Sequence, residues 1–375
     1  MSTRAGVDRM LLLSVLGLLG LGSVTVFSSS VAMSEEMYRS PMAMMMKHLV
    51  KVAMGLALLF VMSRIDYRIV RRLALPMVAV AAILLAMTLI PSFPLARTVK
   101  GATRWIDLGF IVVQPAEIAK FALVAYIAAI LASGEGRIRD WRRGMVPVLS
   151  VLGIFAFFLI QQPNFGTVLC MGLLTETMLW LGGARFTHLA GSGLSTAPVL
   201  MILAIQKPHV IKRFEGFLHP EADPFGASFQ LQQSLVAIGS GGLVGAGPGA
   251  GRLSEFFLPD CHTDFVFAIL GEEFGLLGTL GVVALFCVLL WRGFAIARKA
   301  PDLFGRYLAA GVTTMIGIVA VLNIAVVLGL MPTTGLPLPF VSYGGSAMMV
   351  NLAGIGILLS IASRSNGMKR RRVVG

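Results

Sequence analysis

The sequence predicts an all-α polytopic membrane protein with ten transmembrane helices. The chain has 375 residues, of which 57% are hydrophobic and only 13% charged, and its mean hydropathy is +0.85. A water-soluble domain of this composition would aggregate. Apolar stretches of about 20 residues, the length that crosses a bilayer, recur along the whole chain. Composition therefore predicts the class, and the spacing of these stretches predicts the number of helices.

The apolar stretches can be taken in order. The first runs from about Met10 to Ala32, is longer than the core of a signal peptide and is followed by further spans, so we expect it to be retained. Nine later stretches meet the length rule: 44–62, 73–91, 115–132, 145–161, 165–182, 187–205, 264–291, 307–330 and 339–362. We expect one membrane domain over residues 1–375, ending in a basic tail at 364–375.

Lysine and arginine orient this domain. They cluster in alternate connections, which the positive-inside rule assigns to the cytoplasm. The main clusters are Arg64, Arg68, Arg71 and Arg72; Arg137, Arg139, Arg142 and Arg143; Arg292, Arg298, Lys299 and Arg306. Both termini are then cytoplasmic, and a large extracytoplasmic loop, 206–263, joins helices 7 and 8. Because these loops and their attraction to anionic lipid explain the net charge of +13, we predict no nucleic-acid partner.

The large outward loop is long enough to be either functional or disordered. It carries Lys212 and Arg213, then an amphipathic piece, 229–238, that we expect to lie on the membrane surface or to re-enter it. A glycine-rich run follows at 239–251 and lacks the Lys-Ser/Thr pair of a P-loop, so nucleotide hydrolysis is not expected. We favour a flexible or tightly turning run; the alternative is that its N–H groups approach a ligand.

An acidic segment ends this loop and leads directly into the eighth helix. Asp264 lies at the border between water and lipid, where a carboxylate can reach a substrate from outside. Helical geometry places Glu272 roughly 12 Å deeper and about 80° round the helix, with Glu273 on nearly the opposite face. These glutamates are therefore no catalytic partners of Asp264. We expect them to contact arginines or polar groups of neighbouring helices.

Cysteine and histidine give little support for a metal or a disulfide. Cys170, Cys261 and Cys287 are too few and too scattered for a disulfide framework or a thiolate site. His262 lies close to Asp260 and Glu255, but the spacing matches no zinc signature. A solvated polar loop is the interpretation that we favour, and the metal stays unknown.

The fourth predicted helix begins with the segment Gln114-Pro-Ala-Glu-Ile-Ala-Lys120. Glu117 and Lys120 stand at i, i+3 on one face, so one interpretation is an ion pair that neutralises itself. In the other, Lys120 joins cations of the preceding loop in a patch that binds a lipid diphosphate. That loop contains Arg97, Lys100, Arg104 and Trp105. Cations on an outward face depart from the positive-inside trend and indicate an anionic ligand.

Several motifs, taken together and in order, resemble the SEDS family (shape, elongation, division, sporulation), to which FtsW and RodA belong. They are Gln114-Pro-Ala-Glu117 with Lys120, Glu221-Ala-Asp-Pro224, Gln233-Ser-Leu-Val-Ala-Ile-Gly-Ser-Gly-Gly242, Leu258-Pro-Asp-Cys-His-Thr-Asp264, Gly271-Glu-Glu-Phe-Gly275 and Pro337-Leu-Pro-Phe-Val-Ser-Tyr-Gly-Gly-Ser346. The Gly271-Glu-Glu form favours the division-type FtsW branch, while Pro337-Leu-Pro-Phe also occurs in RodA-like sequences. The resemblance covers nearly the whole chain.

This resemblance implies a peptidoglycan glycosyltransferase that polymerises lipid II outside the bacterial cytoplasmic (inner) membrane. Its expected partner is a class B penicillin-binding protein, a transpeptidase, within the divisome or the elongasome. The essential acid of the family falls on Asp264, and the charged residue of its fourth span falls on Lys120. The sequence departs from the family at Asn164, where an aspartate is usual, at Asp260, where glutamate is usual, and at Ala347, where a second serine is common.

The implied mechanism is an inverting glycosyl transfer. Asp264 would act as general base on the acceptor GlcNAc 4-hydroxyl, and Lys120, Arg104 and Arg213 would stabilise the departing undecaprenyl diphosphate. A divalent cation such as Mg²⁺ could share that task. Further predicted substrate contacts are Glu117, Trp105, His262, Thr263, Ser342 and Tyr343.

Two rival functions come from other classes of protein. A lipid II flippase or other lipid-linked transporter should bind its cargo near the bilayer midplane and often shows internal repeats, whereas this charge cluster is one-sided and no convincing repeat is seen. A non-catalytic scaffold would leave Lys120 and Asp264 without a purpose.

Overall fold

The computed structural model describes residues 8–90, 93–99, 101–109, 111–134, 136–193, 208–219, 228–251 and 263–374. These residues form a helical bundle with one small sheet. The helices are α1 (Arg9–Tyr38), α2 (Ala43–Arg64), α3 (Arg68–Met87), α4 (Pro115–Leu131), α5 (Val146–Gln161), α6 (Phe165–Leu181), α7 (186–193), α8 (Pro208–Leu218), α9 (Phe229–Gly241), α10 (Val266–Arg298), α11 (Leu303–Val327) and α12 (Gly345–Val374). A 3₁₀ turn, Arg137–Arg139, and a π-helical turn, Trp141–Met145, precede α5.

Among the described residues, seven helical segments are long and apolar enough to cross a membrane. They lie in α1, α2, α3, the continuous π-helical turn and α5, α10, α11 and α12. Helices α4 and α6 coincide with two further predicted spans but have only 17 residues each. Of the predicted span 187–205, residues 194–205 lie outside the described part of the chain. A multi-pass membrane protein is therefore confirmed, and the count of ten stays a prediction.

Helix α11 lies at the centre of the bundle. Asp302 caps its first turn by accepting a hydrogen bond from the Gly305 N–H at 2.7 Å. Small residues then let neighbouring helices approach closely: a Cβ atom on Gly311 would lie 2.6 Å from Met178 Cε and 2.7 Å from Val124 Cγ1. Helices α4, α6 and α10 pack around it, so α11 can carry side chains into the interior at both of its ends.

Helix α10 is broken at Gly275, where φ is 63° and ψ is −160°. The glycine-rich run binds this break: the N–H groups of Ala246 and Gly247 donate to the carbonyls of Glu272 and Glu273 at 2.9 and 3.0 Å. A Cβ atom on Gly245, whose φ is 87°, would collide with the Glu273 backbone. The run therefore turns tightly, as the favoured interpretation predicts. Two of its N–H groups bind α10 carbonyls instead of approaching a ligand.

Helix α9 runs parallel to the first part of α10. Gln230 near its start shares a cavity with Asp264, and Ile238 near its end lies 3.0 Å from a Cβ atom built on Gly271. The segment therefore descends along α10 towards the break at Gly275 and does not lie across the end of the bundle. Whether residues 229–238 lie on the membrane surface or re-enter it stays a prediction.

A three-stranded antiparallel sheet, in the order β1 (Ala96–Val99), β2 (Ala102–Asp107) and β3 (Val112–Val113), precedes α4. It is a correction to the purely α-helical prediction. Arg97 pairs with Trp105 across β1 and β2, so these two side chains share one face of the sheet. The register shifts after Arg97, so Arg104 has no partner in the ladder and lies at a β-bulge.

The tenth predicted span also needs a correction at its start. Residues 339–344 form turns, and α12 begins only at Gly345. Pro337 and Pro339 lack backbone N–H donors and disfavour a helix through this segment, so the apolar stretch begins before the helix does. The helix enters the bundle beside α2, along which it packs.

Candidate functional site

A cavity of about 270 Å³ lies at the end of the bundle where α10 begins, which we call the Asp264 end. Its walls come from α8, α9, the residues before α10, the last turns of α11 and the loop that follows α11. The lining residues are Lys212, Arg213, Gln230, Asp264, Phe265, Asn323, Val326, Thr333, Thr334, Gly335 and Leu336. The predicted base and one of the predicted cations therefore share a cavity.

Asp264 is held by its main chain and faces the loop after α11. Its carbonyl oxygen accepts a hydrogen bond from Asn323 Nδ2 at 2.8 Å. Gly335 has a φ of 71°, and a Cβ atom there would lie 3.7 Å from Asp264 Oδ2. A glycine at this position both adopts the left-handed backbone and leaves room beside the carboxylate. The Asp264 side chain is half-buried, so one side remains available to a substrate.

Arg213 and Arg104 bring positive charge towards Asp264 from two different elements. Arg213 on α8 donates to the Thr333 carbonyl at 3.2 Å, and Arg104 on β2 donates to the carbonyls of Gln162 and Pro163 at 2.9 and 2.6 Å. Burial, and then the nearby charge of Arg213, lower the pKa of Arg104, while Asp264 acts in the opposite direction. Burial likewise lowers the pKa of Arg213, and Asp264 opposes it.

The described hydrogen bonds of Arg104 and Arg213 do not neutralise their charge. Backbone carbonyls are neutral acceptors, and both guanidinium groups remain protonated because the ordinary arginine pKa is far above neutrality. Asp264 is the only carboxylate among the described residues that line the cavity, which also include the basic Lys212 and Arg213. With Arg104 nearby, positive charge exceeds negative charge among the residues that the structure describes here. Such a site favours an anion, and arginine in particular favours phosphate oxygens.

Glu117 and Lys120 form the ion pair that one of the two interpretations predicts. Lys120 Nζ lies 2.9 Å from Glu117 Oε1, and each side chain is only 3% exposed. The pair packs near Cys170 of α6, and neither residue lines the described cavity. The structure therefore shows a closed pair, and the contact of Lys120 with a lipid diphosphate stays a prediction.

The small sheet divides the cationic patch predicted for the loop before α4. Arg97 pairs with Asp107 at 3.6 Å on the face that also carries the half-buried Trp105. The Arg104 guanidinium instead reaches the carbonyls of residues 162–163. Lys100 lies outside the described residues. Of the described members of the patch, only Arg104 comes within electrostatic reach of Asp264.

Other predicted contacts lie beside the cavity or away from it. The Ser342 hydroxyl accepts a hydrogen bond from the Leu338 N–H at 2.9 Å and is 2% exposed, so it closes a turn. Tyr343 stacks on His48 of α2 with ring centroids 5.7 Å apart, and Lys51 Nζ lies 3.9 Å above its ring. Tyr343 therefore contacts α2 just before α12 begins. Thr263 is half-buried beside Asp264, and His262 lies outside the described residues.

Glu272 and Glu273 are buried in the bundle, with 4% and 1% of their surface exposed. Glu273 Oε1 accepts hydrogen bonds from the Ser28 hydroxyl of α1 and from the Gly249 N–H. A Cβ atom built on Gly251 would lie 2.9 Å from Glu272 Oε2. Among the described contacts, the partners of Glu273 are a hydroxyl and a backbone amide, which fits the predicted polar contacts. Both glutamates connect α10 to the glycine-rich run.

Sequence comparison agrees with the motifs and the fold. The model of the FtsW, RodA and SpoVE cell cycle proteins matches residues 9–367. The chain belongs to this family. It is 39% identical over 371 residues to a probable peptidoglycan glycosyltransferase FtsW of Trichlorobacter lovleyi, covering 99% of this chain and 96% of that protein. It is also 38% identical over 360 residues to stage V sporulation protein E of Bacillus subtilis, covering 96% and 97%.

Solved structures of family members have the same fold. One is a chain from "Structural coordination of polymerization and crosslinking by a peptidoglycan synthase complex", with a TM-score of 0.78, 31% identity and coverage of 96% of this chain and 98% of that chain. Another is the rod shape determining protein RodA of Thermus thermophilus, with a TM-score of 0.69, 28% identity and coverage of 95% and 97%. The bundle described above is thus the architecture of the FtsW, RodA and SpoVE family.

Asn164 marks the position where this family member departs from the expected aspartate. It caps α6, its Oδ1 accepts a hydrogen bond from the Thr167 hydroxyl at 2.8 Å, and it is 5% exposed. The adjacent Pro163 carbonyl accepts the Arg104 guanidinium. Because the Asn164 side chain is a neutral amide, it adds no negative charge to this neighbourhood, and the charge of Arg104 is left for other partners.

Sequence reasoning missed several polar side chains of the cavity, which are Lys212, Gln230, Asn323, Thr333 and Thr334. Asn323 is 2% exposed and lies within the apolar helix α11. A polar amide inside a predicted span is a signal of function, and this signal could have found it. Gln230 lies in a polar stretch of α9 where nothing in the sequence distinguishes it from its neighbours.

Proposed function

We propose that this protein is a peptidoglycan glycosyltransferase that polymerises lipid II into β-1,4 glycan strands. Curated relatives that share 37–39% of their residues with it over nearly the full length bear the name FtsW. The observation that carries the proposal is the cavity itself, where, among its described lining residues, one carboxylate lies with an arginine and a lysine. A base and an anion-binding surface are the two groups that transfer from a sugar diphosphate requires.

In this mechanism Asp264 removes the proton from the 4-hydroxyl of the GlcNAc in an incoming lipid II. The hydroxyl oxygen then forms a bond to the anomeric carbon of the MurNAc at the end of the growing strand. The bond from that carbon to the diphosphate breaks, and its electron pair leaves on undecaprenyl diphosphate. The configuration inverts from an α-linked diphosphate to a β-1,4 linkage.

Arg213 and Arg104 stabilise the charge that develops on the leaving diphosphate, an effect that grows as the closed site excludes water. A diphosphate leaves readily when its charge is met, so the reaction needs no second carboxylate to protonate it, unlike hydrolysis of a glycosidic bond. Lys120 remains a proposed donor-site residue, with Glu117, although their pair is closed in this conformation.

A resident divalent cation does not fit the residues that the structure describes around Asp264. They offer one carboxylate beside basic side chains, and no group of three or more His, Cys, Asp or Glu residues that could hold a metal occurs in the described part of the chain. We therefore derive no step through a metal. A contribution of Mg²⁺ carried by the substrate diphosphate stays a prediction, which chelation by EDTA during polymerisation would test.

The proposed setting is the bacterial inner membrane, crossed by ten helices with both termini in the cytoplasm. The Asp264 end then faces outward, and α9 with the glycine-rich run re-enters the membrane beside α10. The proposed partner is a class B penicillin-binding protein that crosslinks the product in the divisome or elongasome. Similarity to a chain from a peptidoglycan synthase complex supports a partner of this kind, and the FtsW-named relatives favour the division branch.

The alternative of a lipid II flippase has weaker support. A transporter requires a binding site that opens to both sides in turn. The described cavity lies at one end of the bundle, whereas at the opposite end Arg292 pairs with Asp8 and Arg68 pairs with Asp302. The names of the relatives also refer to glycosyl transfer and not to transport.

The test uses the purified protein with its cognate transpeptidase, lipid II as substrate and the transpeptidase site blocked. We expect Asp264→Asn to lower the rate of glycan polymerisation by about 100-fold or more, because general bases typically contribute 10²–10⁴-fold. Asp107→Asn is the matched control, since Asp107 pairs only with the exposed Arg97 among its described ion pairs. Wild-type rates in a folded Asp264→Asn protein would refute the assignment. Lipid II crossing proteoliposomes without polymer would favour the transporter.

A further inference from the structure

One buried amide joins the three elements that surround Asp264. Asn323, four residues before the end of α11, is 2% exposed and lines the cavity. Its Nδ2 donates to the carbonyl of Asp264 and to the carbonyl of Leu336, both at 2.8 Å. Leu336 belongs to the loop that lies against the carboxylate through Gly335. The side chain of Asn323 thus fixes three parts of the chain relative to one another: α11, Asp264 and the loop that contains Leu336.

The orientation of this amide follows from its partners. An NH₂ group carries two donors and can bind two carbonyl oxygens, whereas an amide oxygen facing the same carbonyls would be repelled. Asn323 Oδ1 therefore points elsewhere, and it is buried without a hydrogen-bond partner among the described residues. Leaving a buried acceptor unsatisfied costs about 1–3 kcal/mol. The two donated hydrogen bonds contribute about 0.5–1.5 kcal/mol each, so this cost offsets much of what the asparagine adds to stability.

We propose that Asn323 is a positioning residue for Asp264 in glycan polymerisation. It acts through the backbone: by holding the Asp264 carbonyl against α11, it fixes the direction in which the carboxylate leaves the chain just before α10 begins. The hydrogen bond to Leu336 holds the opposing wall of the cavity at the same time. This proposal rests on the proposed function, since it assigns Asn323 a role only if Asp264 is the base.

The predicted kinetic effect is on the chemical step. A displacement of about 1 Å in a reacting group can cost on the order of 100-fold in rate. For Asn323→Ala we expect kcat to fall by about 10–100-fold, while KM for lipid II changes by no more than about 2-fold because the arginines keep their own contacts. Asn323→Ser keeps one donor and should recover part of the loss. The matched control is Asn351→Ala, a buried asparagine of α12 that does not line the described cavity.

A double-mutant cycle with Asp264→Asn separates positioning from a general effect on folding. If Asn323 acts through the Asp264 carboxylate, Asn323→Ala should lower the residual rate of the Asp264→Asn protein little further, because residues that act as a unit are not additive. A purely structural role predicts the same proportional loss in both backgrounds. Rates are normalised to folded protein, measured by the thermal unfolding transition in detergent.

The outcomes distinguish this inference from the proposed function. If wild type polymerises lipid II and Asp264→Asn does not, but Asn323→Ala keeps the wild-type kcat, the positioning role alone is wrong. Additive losses in the cycle, or failure of both the alanine and the serine variants to fold, would also overturn it and assign Asn323 to bundle stability. If Asp264→Asn polymerises normally, the proposed function itself is wrong.

Discussion

The two ends of the bundle differ in how they use charge. At the end opposite Asp264, three arginines bind carboxylates of other elements: Arg292 with Asp8 at 2.6 Å, Arg68 with Asp302 at 3.2 Å and Arg364 with Asp66 at 3.4 Å. At the Asp264 end, Arg104 and Arg213 donate to backbone carbonyls and share one described carboxylate. Matched charges join helices and loops, whereas unmatched charges leave an attraction for a ligand.

The comparison supplies a physical criterion for sorting charged residues. Lys120 and Glu117 lie in the outer half of α4 by the predicted orientation. Like the arginine pairs of the opposite end, they form a matched ion pair. Arg213 is the reverse case: it lies in the cavity, and its described hydrogen bond goes to a neutral carbonyl. Substitution of Lys120 or Glu117 should therefore affect mainly the stability of the protein. Substitution of Arg213 should affect mainly its activity.

The largest expected effect is at the Lys120–Glu117 pair. Lys120→Met would leave the Glu117 carboxylate buried without its partner, which typically costs about 3–5 kcal/mol of unfolding free energy. The double variant Glu117→Gln with Lys120→Met removes both charges and should recover most of that loss. Unfolding of the single and double variants in detergent checks this. Activity of the refolded double variant then decides the role of Lys120: a near wild-type rate would exclude a diphosphate contact.

Next in size is the effect of removing an unmatched arginine. Arg213→Ala should lower kcat/KM for lipid II by about 10–100-fold, equivalent to about 1.4–2.7 kcal/mol of transition-state stabilisation. Stability should change little, since the main described polar contact that is lost is one hydrogen bond to the Thr333 carbonyl. Arg213→Lys keeps the charge and should retain part of the activity. An unchanged rate in a folded Arg213→Ala protein would remove Arg213 from the anion site.

Sequence alone predicted the helices because a span has a length and a composition that can be counted. It did not predict β1 and β2, since strands as short as Ala96–Val99 show little periodicity and depend on the ladder that they form. That ladder matters for the site, because within it Arg97 pairs with Asp107 whereas Arg104 reaches the carbonyls of residues 162–163. The break in α10 was also beyond the sequence: it depends on which partner the glycine-rich run binds, and that partner is the backbone of Glu272 and Glu273.

The candidate site shows a similar limit. Asp264 and Arg213 are identifiable from residue type and position, because charge at a membrane border is costly and informative. Their proximity to each other and to Arg104 is not, since α8, α10 and β2 are far apart in the chain. Asn323 carries a recognisable signal, but its role depends on two carbonyl groups that only the folded chain brings within 2.8 Å.

A smaller effect is expected for the best-matched arginine of the opposite end. Arg292 binds Asp8 through Nε and Nη2, and the two side chains are 24% and 9% exposed. Arg292→Ala should lower the unfolding free energy by about 1–2 kcal/mol, because Asp8 loses its partner but still caps α1. The polymerisation rate per folded molecule should equal that of wild type. A loss of activity as large as that of Arg213→Ala would show that the two ends are not separate in function.

The smallest effect should come from Arg68, whose side chain is 59% exposed. Arg68→Ala removes one of the groups that bind Asp302, but the Tyr67 hydroxyl still donates to the same carboxylate at 2.6 Å, and the Gly305 N–H still donates to it as well. Solvent screens the exposed charge, so we expect a loss of at most about 0.5 kcal/mol. Tyr67→Phe is the matched variant and should cost more, because Tyr67 is 1% exposed and its bond is partly buried. If Arg68→Ala proved the more damaging of the two in thermal unfolding, charge pairing would matter more than burial at this end, and the expected order of the two variants would be wrong.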